Sequence, residues 1–243
     1  MRIKLAQQFV VLNTLWVILT LTAFAILINL SWWQLNRATE KTAQLARVAE
    51  LQAAGALQPS QLSRLAASDI DAAPLQGQGR WLAPYIWLLD NQIVQGRVGY
   101  DVIIPVQAEG LAEPLLVNLG WTAALERRDS LPDVEIAPQI ALNGLLRTKV
   151  DGLLLLGQNA EDSGQWPMRI QQVNYAQLSQ QSGLPLFPAL LYQQNESEFT
   201  PHYQPVVLSP EKHRGYALQW FLLGIAVLGV ALAASHQGKA NYE

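Results

Sequence analysis

The chain has 243 residues, half of them apolar and only 14% charged. That balance is rich for a soluble protein and poor for a polytopic one; it implies a few membrane spans plus one water-soluble domain. Three of the 16 Lys/Arg and one of the 19 Asp/Glu lie outside residues 31–214, so the middle is acidic by five charges and no nucleic acid partner is expected.

No cysteine occurs, which excludes disulfides, iron–sulfur clusters, covalent c-type haem and thiolate metal sites. Methionine is limited to Met1 and Met168, which leaves little for a thioether copper site. Any cofactor must therefore rely on nitrogen or oxygen ligands. The histidines are His202, His213 and His236.

Val10 to Leu30 carries no charge and follows Arg2 and Lys4. About 20 residues at ~1.5 Å rise cross a hydrocarbon core about 30 Å thick. Ala23-Phe24-Ala25 resembles a signal-peptide cleavage site, and a cleaved leader is the competing reading. The apolar run continues to Leu30, however, and then meets Trp32 and Trp33, an interfacial belt. A retained anchor is the favoured expectation. Asn13, Thr14 and Thr20 offer it polar contacts.

Gln34 to about Ala54 reads as a helix continuing the span, with Gly55 able to end it. A short helix is expected at Ser60. From Ala73 the texture becomes β-rich. Strands are expected at Trp81–Leu89, Gln92–Gln95, Gly99–Gln107, Pro114–Gly120, Ile140–Lys149, Leu153–Leu156, Met168–Val173, Leu186–Gln193 and Val206–Leu208. Asp90-Asn91 reads as a hairpin turn. Pro105 and Pro114 suggest edges or strand ends. One helix fits Tyr175–Gln181, with Asn174 as its N-cap and Gly183 as its stop.

Gly215 to Ser235 is a second uncharged run of membrane length. Gly229 and Ala233 form a small-xxx-small pair, and Gly224 is a further close-approach point for the first span. At the mouth of this run stands His213. On a helix, His213, Tyr216 and Trp220 share one stripe, at i, i+3 and i+7. Arg214 and Lys212 flank it.

The expected fold is an α+β membrane protein: two transmembrane helices flanking one β-rich extramembrane domain, an antiparallel sheet or partly open barrel with a few helices. The expected organisation is an N-terminus over residues 1–9, a span over 10–30, a helical stalk over 31–72, the β-rich domain over 73–212, a span over 213–235 and a tail over 236–243. Flanking charge leaves the orientation open. Arg2, Lys4 and Lys239 lie outside the spans, while Arg37, Lys41, Arg47, Lys212 and Arg214 lie between them. That count leans against an exported middle, whereas the basic start favours cytoplasmic termini.

No Gly-rich phosphate loop, nucleophile elbow or zinc spacing is present, so no enzyme is expected. Asp90, Asp101, Asp129 and Asp133 read as solvated turn residues. Arg127-Arg128 reads as a solvated pair, and Trp121 as a core or membrane contact.

Several segments resemble one family. They are Trp33-Gln34-Leu35-x-Arg37 with Lys41, Gly77-Gln78-Gly79-Arg80-Trp81, Gly99-Tyr100-x-Val102-Ile103-x-Pro105, Val117-Asn118-Leu119-Gly120-Trp121, Gly144-Leu145-Leu146-Arg147, Trp166, and His213-x-x-Tyr216-Ala217-x-Gln219-Trp220-Phe221. In this order, between two spans, they resemble the surfeit locus protein 1 family of cytochrome oxidase assembly factors. Leu119 departs from it, standing where the family usually has arginine. The resemblance implies a bacterial inner-membrane protein with its domain on the periplasmic side. It implies a role in haem a insertion into oxidase subunit I, with subunit I, haem a synthase and membrane lipid as partners. Transient haem a binding is implied for some members, with the final-motif histidine as metal ligand; here that is His213, with Tyr216, Trp220 and Arg214 around the cofactor. A scaffold that binds subunit I or the synthase without haem is the alternative.

Overall fold

A computed structural model describes residues 2–5, 8–11, 14–127, 130–149, 159, 164–195 and 197–237. The chain divides into two compact units, Met1–Ala46 with Val206–Glu243, and Arg47–Pro205.

The first unit holds one long helix and most of another, whose last residues fall in the second unit. α1 runs Thr14–Ala53 and α5 runs Pro210–Gln237. Both are long and apolar enough to cross a membrane. The apolar run begins at Val10, but Gln8–Val11 (β2) pairs antiparallel with Arg2–Leu5 (β1), and the helix starts only at Thr14. At the far end α1 continues well past the tryptophan belt, and Gly55 follows in a left-handed conformation (φ 93°). Leu15, Trp16, Ile18, Leu19 and Leu21 on α1, and Leu222, Leu223, Ile225 and Leu232 on α5, are exposed. A helix apolar on its outer surface suits lipid rather than water.

The second unit is sheet-rich. After the one-turn helices α2 (Pro59–Leu62) and α3 (Ala67–Ile70) come β3 (Pro74–Trp81), β4 (Trp87–Val94), β5 (Arg97–Ala108), β6 (Leu115–Ala123), β7 (Gln139–Arg147), β8 (Met168–Ile170), α4 (Tyr175–Ser182) and β9 (Phe187–Gln193). The order is β3-β7-β9-β6-β5-β4-β8, and β3 also pairs with β5. Five strands, β3, β7, β9, β6 and β5, thus close a ring, which removes most free edges. Most pairings are antiparallel, but β6–β9 and β4–β8 are parallel.

Closure depends on the long strand β5. Its first half pairs with β4 as far as Ile103, and its last residues, Val106–Ala108, pair with β3. Pro105 sits where the neighbour changes, so its missing N–H interrupts no ladder. Gly79 faces Ala108 at this closure, where a Cβ would come within 2.5 Å of Val106 Cγ1. Tyr100, Val102, Ile104, Val106 and Ala108 of β5 line the main core, while Ile103 joins a second cluster with Trp87, Leu116, Met168, Leu178 and Leu190. The alternation is the period of two expected of a strand with both faces covered. Trp166 belongs to that second cluster, edge-on to Tyr85 and Trp87.

Several local expectations hold. Asn174 Oδ1 accepts from Gln177 N, and Gly183 ends α4 in the left-handed region. Pro114 immediately precedes β6. Others change. Asp90-Asn91 is a bulge inside β4: Asn91 has φ 61°, its N–H donates to Asp90 Oδ1, and the register shifts there. The hairpin turn is Gln95-Gly96, both at positive φ. Trp81–Leu89 is not one strand, because residues 82–86 break it between β3 and β4. Val206–Leu208 forms no strand. Leu153–Leu156, Arg128 and Asp129 lie outside the described residues.

Candidate functional site

The first site lies between the two long helices. On α1, Val17, Thr20, Phe24, Leu27, Ser31, Gln34 and Ala38 are among the half-buried and buried positions and are spaced alternately three and four residues apart, with half-buried Ala23, Ile28 and Leu30 beside them. On α5 the same spacing gives His213, Ala217, Trp220, Gly224, Val227 and Ala231. Spacing of this kind keeps one seam facing a partner helix. The antiparallel register is explicit. Ser31 Oγ donates to the Ala217 carbonyl at 2.8 Å, and a Cβ on Gly224 would lie 3.4–3.5 Å from Phe24 and Ile28. Gly224 is therefore the close-approach residue. Gly229 has open space around it and Ala233 is exposed, so the small-xxx-small pair lies away from this seam. Geometry explains this: Gly229 stands about 160° round the helix from His213 at 3.6 residues per turn.

His213 is buried, with 7% of its surface exposed. Its Nδ1 donates to Gln34 Oε1 at 2.7 Å. That bond requires the proton on Nδ1, so in a neutral ring the lone pair sits on Nε2. Among the described residues no other side chain bonds the ring. Trp220 lies on the same seam, half-buried. Tyr216 sits about 60° round the helix, at the seam's edge, and is 44% exposed. Arg214 is exposed and lies 3.7 Å from Glu211 one turn away. The expected stripe of His213, Tyr216 and Trp220 is thus split: His213 and Trp220 face α1, and Tyr216 borders the open side. In sequence Gln34 is one residue of the Trp33-Gln34-Leu35 motif, and its partnership with His213 follows only from the helix register. The side chain of His236 lies outside the described residues.

A second polar site lies on the outer face of the barrel. Asp101 (β5) is only 2% exposed. One carboxylate oxygen accepts from His202 Nε2 at 2.6 Å, and the other accepts from Asn118 Nδ2 at 2.7 Å. Asn118 Oδ1 in turn accepts from Gly120 N at 2.9 Å. The expectation of a solvated turn aspartate fails here, because Asp101 occupies a central strand and the segment carrying His202 covers it. Asp90 is also buried. The hydrogen bond to Asp101 holds His202 above its usual titration range.

The covering segment, residues 199–205, is held at further points. Thr200 exchanges backbone hydrogen bonds with Trp121 at 2.8 and 2.9 Å. Gly120 makes room for it: its φ is 125°, and a Cβ there would come within 2.9 Å of the Thr200 carbonyl. Tyr203 stacks on Tyr192 with ring centroids 4.0 Å apart, and its hydroxyl accepts from the Arg147 guanidinium at 3.2 Å. Burial first, then the nearby Asp101 charge, raises Tyr192 far above the usual phenol range. Trp121 is 8% exposed; its Nε1 donates to Gln92 O, with Arg97 over its ring. It is a core residue. Among the described residues no group of three His, Cys, Asp or Glu is placed to hold a metal ion.

Several motif residues find a place in this geometry. Gln34 and His213 meet on the helix pair. Asn118, Gly120 and Trp121 hold the covering segment. Gly79 permits ring closure. The SURF1 family model matches residues 21–225, from within α1 to within α5. No curated protein matches the chain. With both polar sites inside the matched region and most of the chain covered, the protein belongs to the SURF1 family, a family of cytochrome oxidase assembly factors.

Proposed function

We propose that this protein assists haem a insertion into oxidase subunit I and holds haem a transiently at the outer end of the helix pair. In this reading α1 and α5 span the bacterial inner membrane, the barrel is periplasmic, and both termini are cytoplasmic. The partners are subunit I, haem a synthase and the surrounding lipid. The role is non-enzymatic.

The observation that carries the proposal is the His213–Gln34 hydrogen bond, with the imidazole held by Nδ1 at the start of an apolar helix. The donor set fits haem iron. With no thiolate in the chain and a single thioether beyond Met1, an imidazole nitrogen is the available strong ligand. Haem a would supply a redox-active iron and an apolar porphyrin; the residues here would bind and orient it. His213 would ligate through Nε2, with Gln34 holding the ring. Tyr216 and Trp220 would provide apolar wall on either side of the seam's edge. Arg214, exposed, would pair with propionates.

The test is to purify the protein from cells that make haem a and compare the wild type with His213→Ala. The expected result is a Soret band in the wild type that His213→Ala loses. An unchanged spectrum in the variant would remove His213 as ligand.

A second reading is favoured by one observation. His213 is almost fully buried and its Nδ1 is already satisfied by Gln34, so the pair would also serve as a polar lock between helices in a haem-free scaffold. That reading predicts no haem in wild-type protein, but crosslinks to subunit I or haem a synthase.

A further inference from the structure

We propose that Asp101 and His202 form a proton-dependent latch that fixes the segment leading from the barrel into α5. The chain passes from Thr200 on the barrel to Pro210 at the start of α5 in ten residues, and His213 lies in the first turn of that helix. Residues 199–205 are the part of this connection that the barrel holds.

The geometry makes one contact of this segment unlike the rest. The backbone exchange between Thr200 and Trp121 and the stack of Tyr203 on Tyr192 do not involve a change of charge. The His202–Asp101 contact does. Its carboxylate is 2% exposed on the side chain, the imidazole 27%. Asn118 satisfies the second carboxylate oxygen but brings no charge. His202 is thus the one titratable base bonded to this buried carboxylate among the described residues. A buried charge that loses its partner is strongly destabilising. When His202 is neutral, the site retains a hydrogen bond but leaves the carboxylate uncompensated.

The surrounding groups do not mask this titration. Asp101 projects from β5, Tyr192 from β9 and Tyr203 from the segment itself; Arg147 of β7 bonds Tyr203, and Arg97 of β5 lies over Trp121. Tyr192 is driven further from ionisation by its burial. His202 is raised by its bond to Asp101, so the latch is fully formed below the unfolded histidine value of about 6.5 and is lost as pH rises through the higher folded value.

The latch stands on barrel geometry alone. The test uses full-length protein in lipid nanodiscs without haem. Hydrogen exchange of peptides covering residues 197–207 is followed between about pH 5.5 and about pH 9, spanning the histidine range, and corrected for intrinsic rates. Wild-type protein is expected to lose protection in these peptides as pH rises, while peptides from β7 stay protected. His202→Gln, which keeps a donor but cannot charge, is expected to show no pH step. Asp101→Asn, which keeps the shape of the carboxylate, is also expected to abolish it. Constant protection in the wild type, or a step that survives in His202→Gln, overturns the latch. Because no haem enters the measurement, failure of the carrier reading leaves this result readable by itself.

Discussion

Two histidines are held in two different ways, and the contrast separates the two regions of the molecule. In the helix pair, His213 is bonded to a neutral amide, Gln34. In the barrel, His202 is bonded to a buried carboxylate, Asp101. An amide selects a tautomer without adding charge, so it suits an apolar, membrane-length setting and leaves a lone pair for a ligand. A carboxylate stabilises the imidazolium, so it suits a water-facing domain and makes the contact depend on protons. The same side chain is thus a candidate ligand in one unit and, in the proposed latch, a proton-dependent fastener in the other.

The largest expected effect comes from crowding the barrel. Gly144→Ala would place a Cβ 2.0 Å from the Tyr192 carbonyl oxygen, which is backbone and cannot swing aside. We predict a loss of about 3 kcal/mol or more, above the ordinary range for overpacking, read by denaturation of the purified protein; a near-neutral result would contradict the β7–β9 pairing. Next comes His202→Ala, which strands the Asp101 carboxylate. Because the imidazole is partly exposed and Asn118 stays bonded, we predict about 2 kcal/mol, below the range for a fully buried pair. The loss should be greater at about pH 6 than at about pH 9. Equal losses at both would show that the pair carries no charge. The smallest effect tests the seam. The chain has no cysteine, so Ser31→Cys with Ala217→Cys provides a single crosslink pair at the site of the Ser31–Ala217 hydrogen bond. Gly224→Leu should reduce that crosslink several-fold by wedging against Phe24 and Ile28, and Gly229→Leu should leave it unchanged. Reversed outcomes would place the seam on the other face of α5.

Much of this architecture was legible in the chain. The two uncharged runs predicted both long helices, and the cap residues Asn174 and Gly183 predicted α4 nearly to its ends. These signals are local: apolar length and cap chemistry depend on neighbouring residues only. Ring closure was not legible, because it depends on β5 changing neighbour at Pro105, a contact between strands far apart in sequence. The burial of Asp101 escapes a sequence reading for a related reason. An aspartate in a β-rich run resembles a turn residue until the segment carrying His202, a hundred residues later, is known to cover it. Gly229 and Ala233 fit a general packing pattern, but only the register of α1 shows that Gly224 faces the partner. The candidate ligand His213 was legible from its place at the mouth of a span together with the family motif, whereas its partner Gln34 was not.

The central claim is that His213, held by Gln34, is the ligand of a transiently bound haem a. Optical spectra of wild type, His213→Ala and Gln34→Leu, each purified from cells that make haem a, test it most directly. The account predicts a Soret band in the wild type, its loss in His213→Ala, and a weakened or shifted band in Gln34→Leu, where the ring loses its hydrogen bond. A wild-type protein without haem, or a band of equal strength in His213→Ala, would contradict it.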